Sequence, residues 1–150
     1  MPHSDPHPSP APRRDWLAAL MLAMTAGPLI PTAHAATITV DDGVVVVADD
    51  GDCSLREAII SANTDAQVFA TAGECDAGSG DDIITLPVDG DFLLEDAPYS
   101  YFQPQGLPAL YSNIVIEGNG STIRRDPADP DLFGIVIVVD NETRINDVTI

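Results

Sequence analysis

The chain is 150 residues long and carries 24 Asp and Glu against six Arg, with no Lys, for a formal charge of -18 at pH 7. Such a surface repels nucleic-acid phosphates and anionic lipid, which excludes a nucleic-acid role. The length allows one domain with its own core.

Residues 1–35 read as an export signal: Arg13-Arg14, an apolar run "WLAALMLAMTAGPLI" at 16–30, then the small-residue site "AHA" at 33–35. A cut between Ala35 and Ala36 leaves 115 residues. A membrane anchor is the alternative, but 15 residues that include Gly27 and Pro28 are short for a span. The "RRDWL" pair fits the twin-arginine route for folded proteins and equally the general route. His3, His7, His34, Trp16 and all three Met leave with the signal. The remainder has no imidazole for a Ser-His-Asp or Cys-His arrangement or for a metal. Two Arg and two Asp leave as well, so 22 acids and four Arg keep the whole charge on 36–150.

"ATITV" (36–40) and the β-branched run "VVVV" (44–47) read as strands, between the acidic turns Asp41-Asp42-Gly43 and Asp49-Asp50-Gly51-Asp52. "DCSLREAIISAN" (52–63) then reads as a helix over about 54–63. Ser54 is the N-cap and Glu57 stands at capping-box spacing. Leu55, Ala58, Ile59 and Ala62 share one face, with Arg56, Glu57 and Ser61 turned away. So short a helix is not stable alone and must be packed on something.

Cys53 and Cys75 are the two cysteines, 22 positions apart in the exported part. A disulfide is the default in an oxidising compartment, and closing that loop is worth about 3 kcal/mol in the chain-entropy model. A metal pair or a reactive thiol is the rival, without the further Cys or His ligands that zinc needs.

"DDIITLP" (81–87) and "DGDFLL" (89–94) read as strands, and 95–112 as a long loop with Pro98, Pro104, Pro108, Tyr99, Tyr101 and Phe102. These aromatics suit a stacking platform for sugar or peptide, or pins that hold the loop to the body. "NIVIEGNGSTI" (113–123), "FGIVIVVD" (133–140) and "TRINDVTI" (143–150) are alternating strand patterns. Ile116 to Val139 is 23 positions, a plausible solenoid coil, although an antiparallel sandwich alternates in the same way. The pattern runs to Ile150 without a polar cap, so the expectation is the front end of something longer or a truncated frame.

Cys53 to Ala58 spell "CSLREA". With "DGDCSLREAIISAN", "DDIITLP" and "IVIEGNGSTI" in that order, residues 36–150 resemble the CSLREA-type N-terminal region of exported bacterial right-handed parallel β-helix, pectate-lyase-like surface proteins. The resemblance implies a mainly β fold, the start of such a β-helix, in which the short helix seals the first layer. With the export signal at 1–35, it divides the rest into a cap region with helix and disulfide (36–112) and first coils (113–150). It implies a secreted, cell-surface or outer-membrane location in a bacterium, with no membrane span in the mature chain. The role it implies is structural or adhesion-like, without a catalytic site, and the partners are surface glycans or other surface proteins.

Two other classes remain on the residues. One is a polysaccharide lyase or hydrolase, resting on paired carboxylates, with Arg124-Arg125 facing an anionic sugar or else paired locally with Asp126 and Asp129. The other is a calcium-stabilised binding module built on the acidic turns and Asp81-Asp82, which match neither the EF-hand nor the "GGxGxD" spacing. No cofactor is expected, and calcium is the one ion these turns leave open.

Overall fold

The computed structural model describes residues 34–139 and 142–150, so the signal expected over 1–35 lies outside the described residues except for its last two positions. The chain is mainly strands with one short helix. In order these are β1 (Thr37–Thr39), α1 (Leu55–Thr64), β2 (Asp82–Thr85), β3 (Asp91–Leu94), β4 (Tyr99–Ser100), β5 (Pro104–Gln105), β6 (Ile114–Glu117), β7 (Thr122–Arg125) and β8 (Arg144–Asn146).

The pairing is parallel. One ladder runs β1-β2-β6-β8, a second pairs β3 with β7, and β4-β5 is a small antiparallel hairpin. The register stacks Ile38, Ile84, Ile116 and Ile145 in one column, and Phe92 over Ile123 in the second ladder. A third line of contact bridges Gln105 to Gly134 and Leu110 to Val138. Parallel strands turn alternate residues inward in stacked columns, and Ile38, Ile84, Phe92, Leu94, Leu107, Leu110, Ile114 and Ile116 form the core between them. The antiparallel sandwich is therefore not the arrangement these strands adopt.

The corners between the first and second ladders also stack. Asp89, Asn119 and Asp147 all adopt positive φ, between 51° and 55°. Asp and Asn tolerate this left-handed conformation better than other non-glycine residues, so each corner turns without a long loop. The Asp89 N–H donates to Asn119 O at 3.0 Å, the Gly120 N–H to Asp147 O at 3.0 Å, and Asn119 Nδ2 reaches back to Leu86 O at 2.7 Å.

Several sequence expectations are corrected. The 23-position coil does not form: Ile116 pairs with Ile145, and Val139 donates instead to Leu110 O. Equivalent positions lie 32 apart from Ile84 to Ile116 and 29 apart from Ile116 to Ile145. "VVVV" is not a strand. It runs along the helix start, where Val44 O accepts the Leu55 N–H, and it leaves Val46 and Val47 exposed. "FGIVIVVD" supplies bridges without a regular strand, since its partner segment holds Pro104 and Pro108, which have no N–H to offer. The 95–112 loop is partly ordered as β4, β5 and the third line of contact.

Candidate functional site

The densest constellation of side-chain bonds surrounds α1. The helix runs Leu55–Thr64, one residue past the expected end, with Asp65 as a left-handed C-cap. Ser54 Oγ accepts the Glu57 N–H at 3.2 Å and Glu57 Oε2 accepts the Ser54 N–H at 2.9 Å, so two otherwise orphaned donors are satisfied reciprocally. Cys53 and Cys75 are joined in a disulfide just ahead of this cap.

The one-sided helix of the sequence reading is not what forms. Arg56 is only 4% exposed, Glu57 1%, and Ser61 is fully buried. The reason is that α1 is enclosed on its polar side too. Glu57 Oε1 accepts the Ala48 N–H at 2.8 Å from the segment before the helix. Arg56 reaches the other way: its Nε donates to Gly106 O at 2.8 Å, and its Nη2 to Asp96 O at 3.1 Å and to Asp96 Oδ1 at 2.6 Å. A guanidinium carries five donors in a rigid fork, so one side chain serves two stretches of backbone and a carboxylate. At the far end Asn63 donates to Ala109 O and accepts from the Tyr111 N–H, both at 2.8 Å. Arg56 and Asn63 thus tie both ends of the helix to Asp96 and to the segment from Gly106 to Tyr111.

This packing also requires small residues. A side chain at Gly78 would collide with Ser61 O, Ala62 Cα and the Asp82 carboxylate, so only glycine lets that segment lie against the helix.

The acidic turns hold backbone. Asp41 Oδ2 accepts the Cys53 N–H at 2.7 Å, and Glu74 Oε1 accepts the Asp50 and Gly51 N–H groups, each at 2.8 Å. Among the described residues no group of three or more His, Cys, Asp or Glu side chains is placed to hold a metal ion. Asp82, at the start of β2, is 1% exposed; its Oδ1 accepts two N–H groups, and its Oδ2 is buried without a partner. Burial pushes its carboxyl up, and Asp65 and Asp81 nearby add to that, against two backbone donors.

Arg124 does not pair with Asp126 or Asp129. Its Nε and Nη2 donate to the two oxygens of Asp91, each at 2.8 Å, because β7 stacks beside β3 and brings both side chains to one outer face. Asp126 and Asp129 instead accept the N–H groups of Ala128 and Asp131 in turns. Arg125 turns away and lies over the Phe133 ring at 5.6 Å.

The aromatics divide. Tyr99 lies under Arg56, 5.9 Å from its guanidinium, and burial raises its phenol against the pull of that cation. Tyr101 packs edge-on against Phe102 and tilted against Tyr111, and Phe102 is 87% exposed, so it does not pin the loop. Tyr99, Tyr101, Pro108 and Tyr111 border a cleft of about 140 Å³. A cleft of about 560 Å³ lies beside Glu95, Asp96, Asp129, Asp131 and Phe133.

The fold and this site together define a mainly β chain of stacked parallel strands with one short, buried and doubly pinned helix. No family model, curated protein or solved structure matches the chain.

Proposed function

We propose that residues 36–150 are the helix-capped leading end of an exported right-handed parallel β-helix surface protein, a CSLREA-type region in which the first coils follow the cap. Its role is structural or adhesion-like, with no catalytic site of its own. The observation that carries this reading is the use made of the motif. Cys53 is tethered, Ser54 and Glu57 cap, Leu55 and Ala58 fill the core, and Arg56 fastens the helix to Asp96 and Gly106. Each of the six residues is engaged in holding the end of the stack, which leaves none presented to a substrate. A stacked-strand core needs its first apolar layer sealed, and an enclosed helix serves that end.

The disulfide is compatible with an extracellular location. Among the described residues no helix is long and apolar enough to cross a membrane. Residues 1–35 act in this reading as a cleaved signal, and the exposed Tyr101, Phe102 and Tyr111 offer a contact surface for glycans or other surface proteins.

The test is the intact mass and first residue of the native protein recovered outside the cytoplasm, before and after reduction. The expected product begins at Ala36 and gains two hydrogens on reduction. A product that keeps residues 1–35, or that is found only in the cytoplasm, overturns the export reading.

A further inference from the structure

The bond at the expected cut lies beside a buried acid. Ala35 is exposed, whereas Ala36 is already anchored: its carbonyl accepts the Ile83 N–H at 2.8 Å, and β1 begins at the next residue. The nitrogen of Ala36 stands 3.1 Å from Asp82 Oδ1. That carboxylate takes a second N–H from Ser79 at 2.8 Å, and its Oδ2 has no partner. The charged groups around it are Asp65, at the C-terminus of α1, and Asp81, its neighbour in sequence, and both are acidic. Two N–H groups answer one oxygen, and no cation among the groups that act on this acid offsets its charge.

We propose that the Ala35–Ala36 bond is a maturation site, and that cutting it delivers a new α-ammonium onto the buried Asp82 carboxylate, fastening β1 to β2. The inference rests on the export reading for the agent of the cut, a peptidase that accepts small residues on both sides. Water adds across the C–N bond, leaving a carboxylate on Ala35 and an amine on Ala36 that takes up a proton at neutral pH. The neutral N–H donor at 3.1 Å becomes a charged one with two further donors beside an acid whose second oxygen has no partner. The ladder bond at Ala36 O holds the new terminus in place, so little ordering remains to be done.

The pH dependence separates the two forms. In the uncut chain the raised Asp82 carboxyl stabilises the fold only while protonated, and that contribution is lost as pH rises through its folded value. In the cut chain the ammonium favours the ionised carboxylate, and the amine is held above its own ordinary value. The pair then stabilises at neutral pH, and its contribution is lost as pH climbs through the raised amine value.

The sequence provides a clean probe. There is no Lys, so the α-amine of a chain starting at Ala36 is its single primary amine. In a chain labelled with ¹³C-alanine the Ala36 methyl resonance, which responds to the unmodified amine beside it, is followed against pH. We expect titration about one unit or more above the ordinary 7.7–8.0, and a return to that range in Asp82→Asn. If that variant does not fold, the same resonance in the native and the urea-unfolded wild-type chain gives the comparison. A chain with one added Gly before Ala36 should titrate normally and melt lower at pH 7. An amine that titrates in the ordinary range in the folded wild-type chain overturns the proposal. The pairing is read on a chain cut at this bond in vitro, while the first residue of the exported protein tests the export reading separately.

Discussion

The two ends of the described chain are held by different means. Around α1, side chains bond backbone across long sequence distances: Arg56 to Gly106, Asn63 to Ala109 and Tyr111, Glu57 to Ala48, Glu74 to Asp50 and Gly51. From β6 onward the ladders run backbone to backbone, as in Gly118 N–H to Asn146 O and Ile123 N–H to Thr149 O, and side chains such as Asn119 and Ser121 add bonds only at the corners, to nearby Leu86 O and Pro87 O. Ile38, Leu55 and Ile59 are fully buried at the first end, while Val138, Val139 and Ile150 are exposed at the other. The contrast teaches why the residues around the helix are less interchangeable than those of the later strands. Bonds from particular side chains demand particular residues, whereas a backbone ladder accepts any residue that suits a pleated, half-buried surface.

The largest expected effect comes from removing the tether. Replacing Cys53 and Cys75 with Ala should cost about 3 kcal/mol, read from the denaturant midpoint. Amide exchange should speed up most between 40 and 75, with β2-β6-β8 staying protected longer. If the β8 amides lose protection equally, the two ends behave as one cooperative unit and the contrast fails.

Next is Arg56→Met, which leaves the Gly106 carbonyl buried without its donor and should cost about 2–3 kcal/mol. Arg56→Lys should recover little, because an ammonium cannot reproduce the planar fork that serves Gly106 and Asp96 together. The matched change at the other end, Arg125→Met, should cost under about 1 kcal/mol, since Arg125 offers one 3.4 Å bond to Phe133 O and a ring contact. Equal losses would show that the helix region owes nothing special to its arginine. Ser54→Ala should cost about 1 kcal/mol, and Ser54→Thr should restore most of it by accepting the same N–H.

Local signals were legible in the residues, and distant ones were not. The S-x-x-E spacing marks the start of α1, and β-branched alternation marks the strands over 82–85 and 114–117. Periodicity, however, put Arg56 and Glu57 on a solvent face. What covers them comes from Gly106, 50 positions away, and from Ala48, a stretch read as following a strand. The repeat length was misread because Ile116 and Val139 belong to different lines of contact, and a period of two cannot say which ladder a residue joins. "VVVV" shows the same limit, since strand propensity depends on context. Asp82 looked like a turn acid; its burial follows from β1 and the 78–79 segment closing over it.

The smallest expected effect tests whether surface charge contributes to the later stack. Arg124 grips both oxygens of Asp91 and holds its carboxyl below the usual range, so any stabilisation exists above the ordinary Asp value and is lost as pH falls through the lowered one. Both side chains are about half exposed, at 45% and 56%, where water and salt screen the pair and ordering the long side chain offsets the attraction. Arg124→Gln should therefore return the Asp91 carboxyl to the ordinary range by NMR titration yet leave the thermal midpoint at pH 7 within error. A clear drop in that midpoint, abolished by high salt, would mean that the later stack depends on a surface ion pair, and the division between the side-chain-held helix region and the ladder-held strands would have to be redrawn at β7.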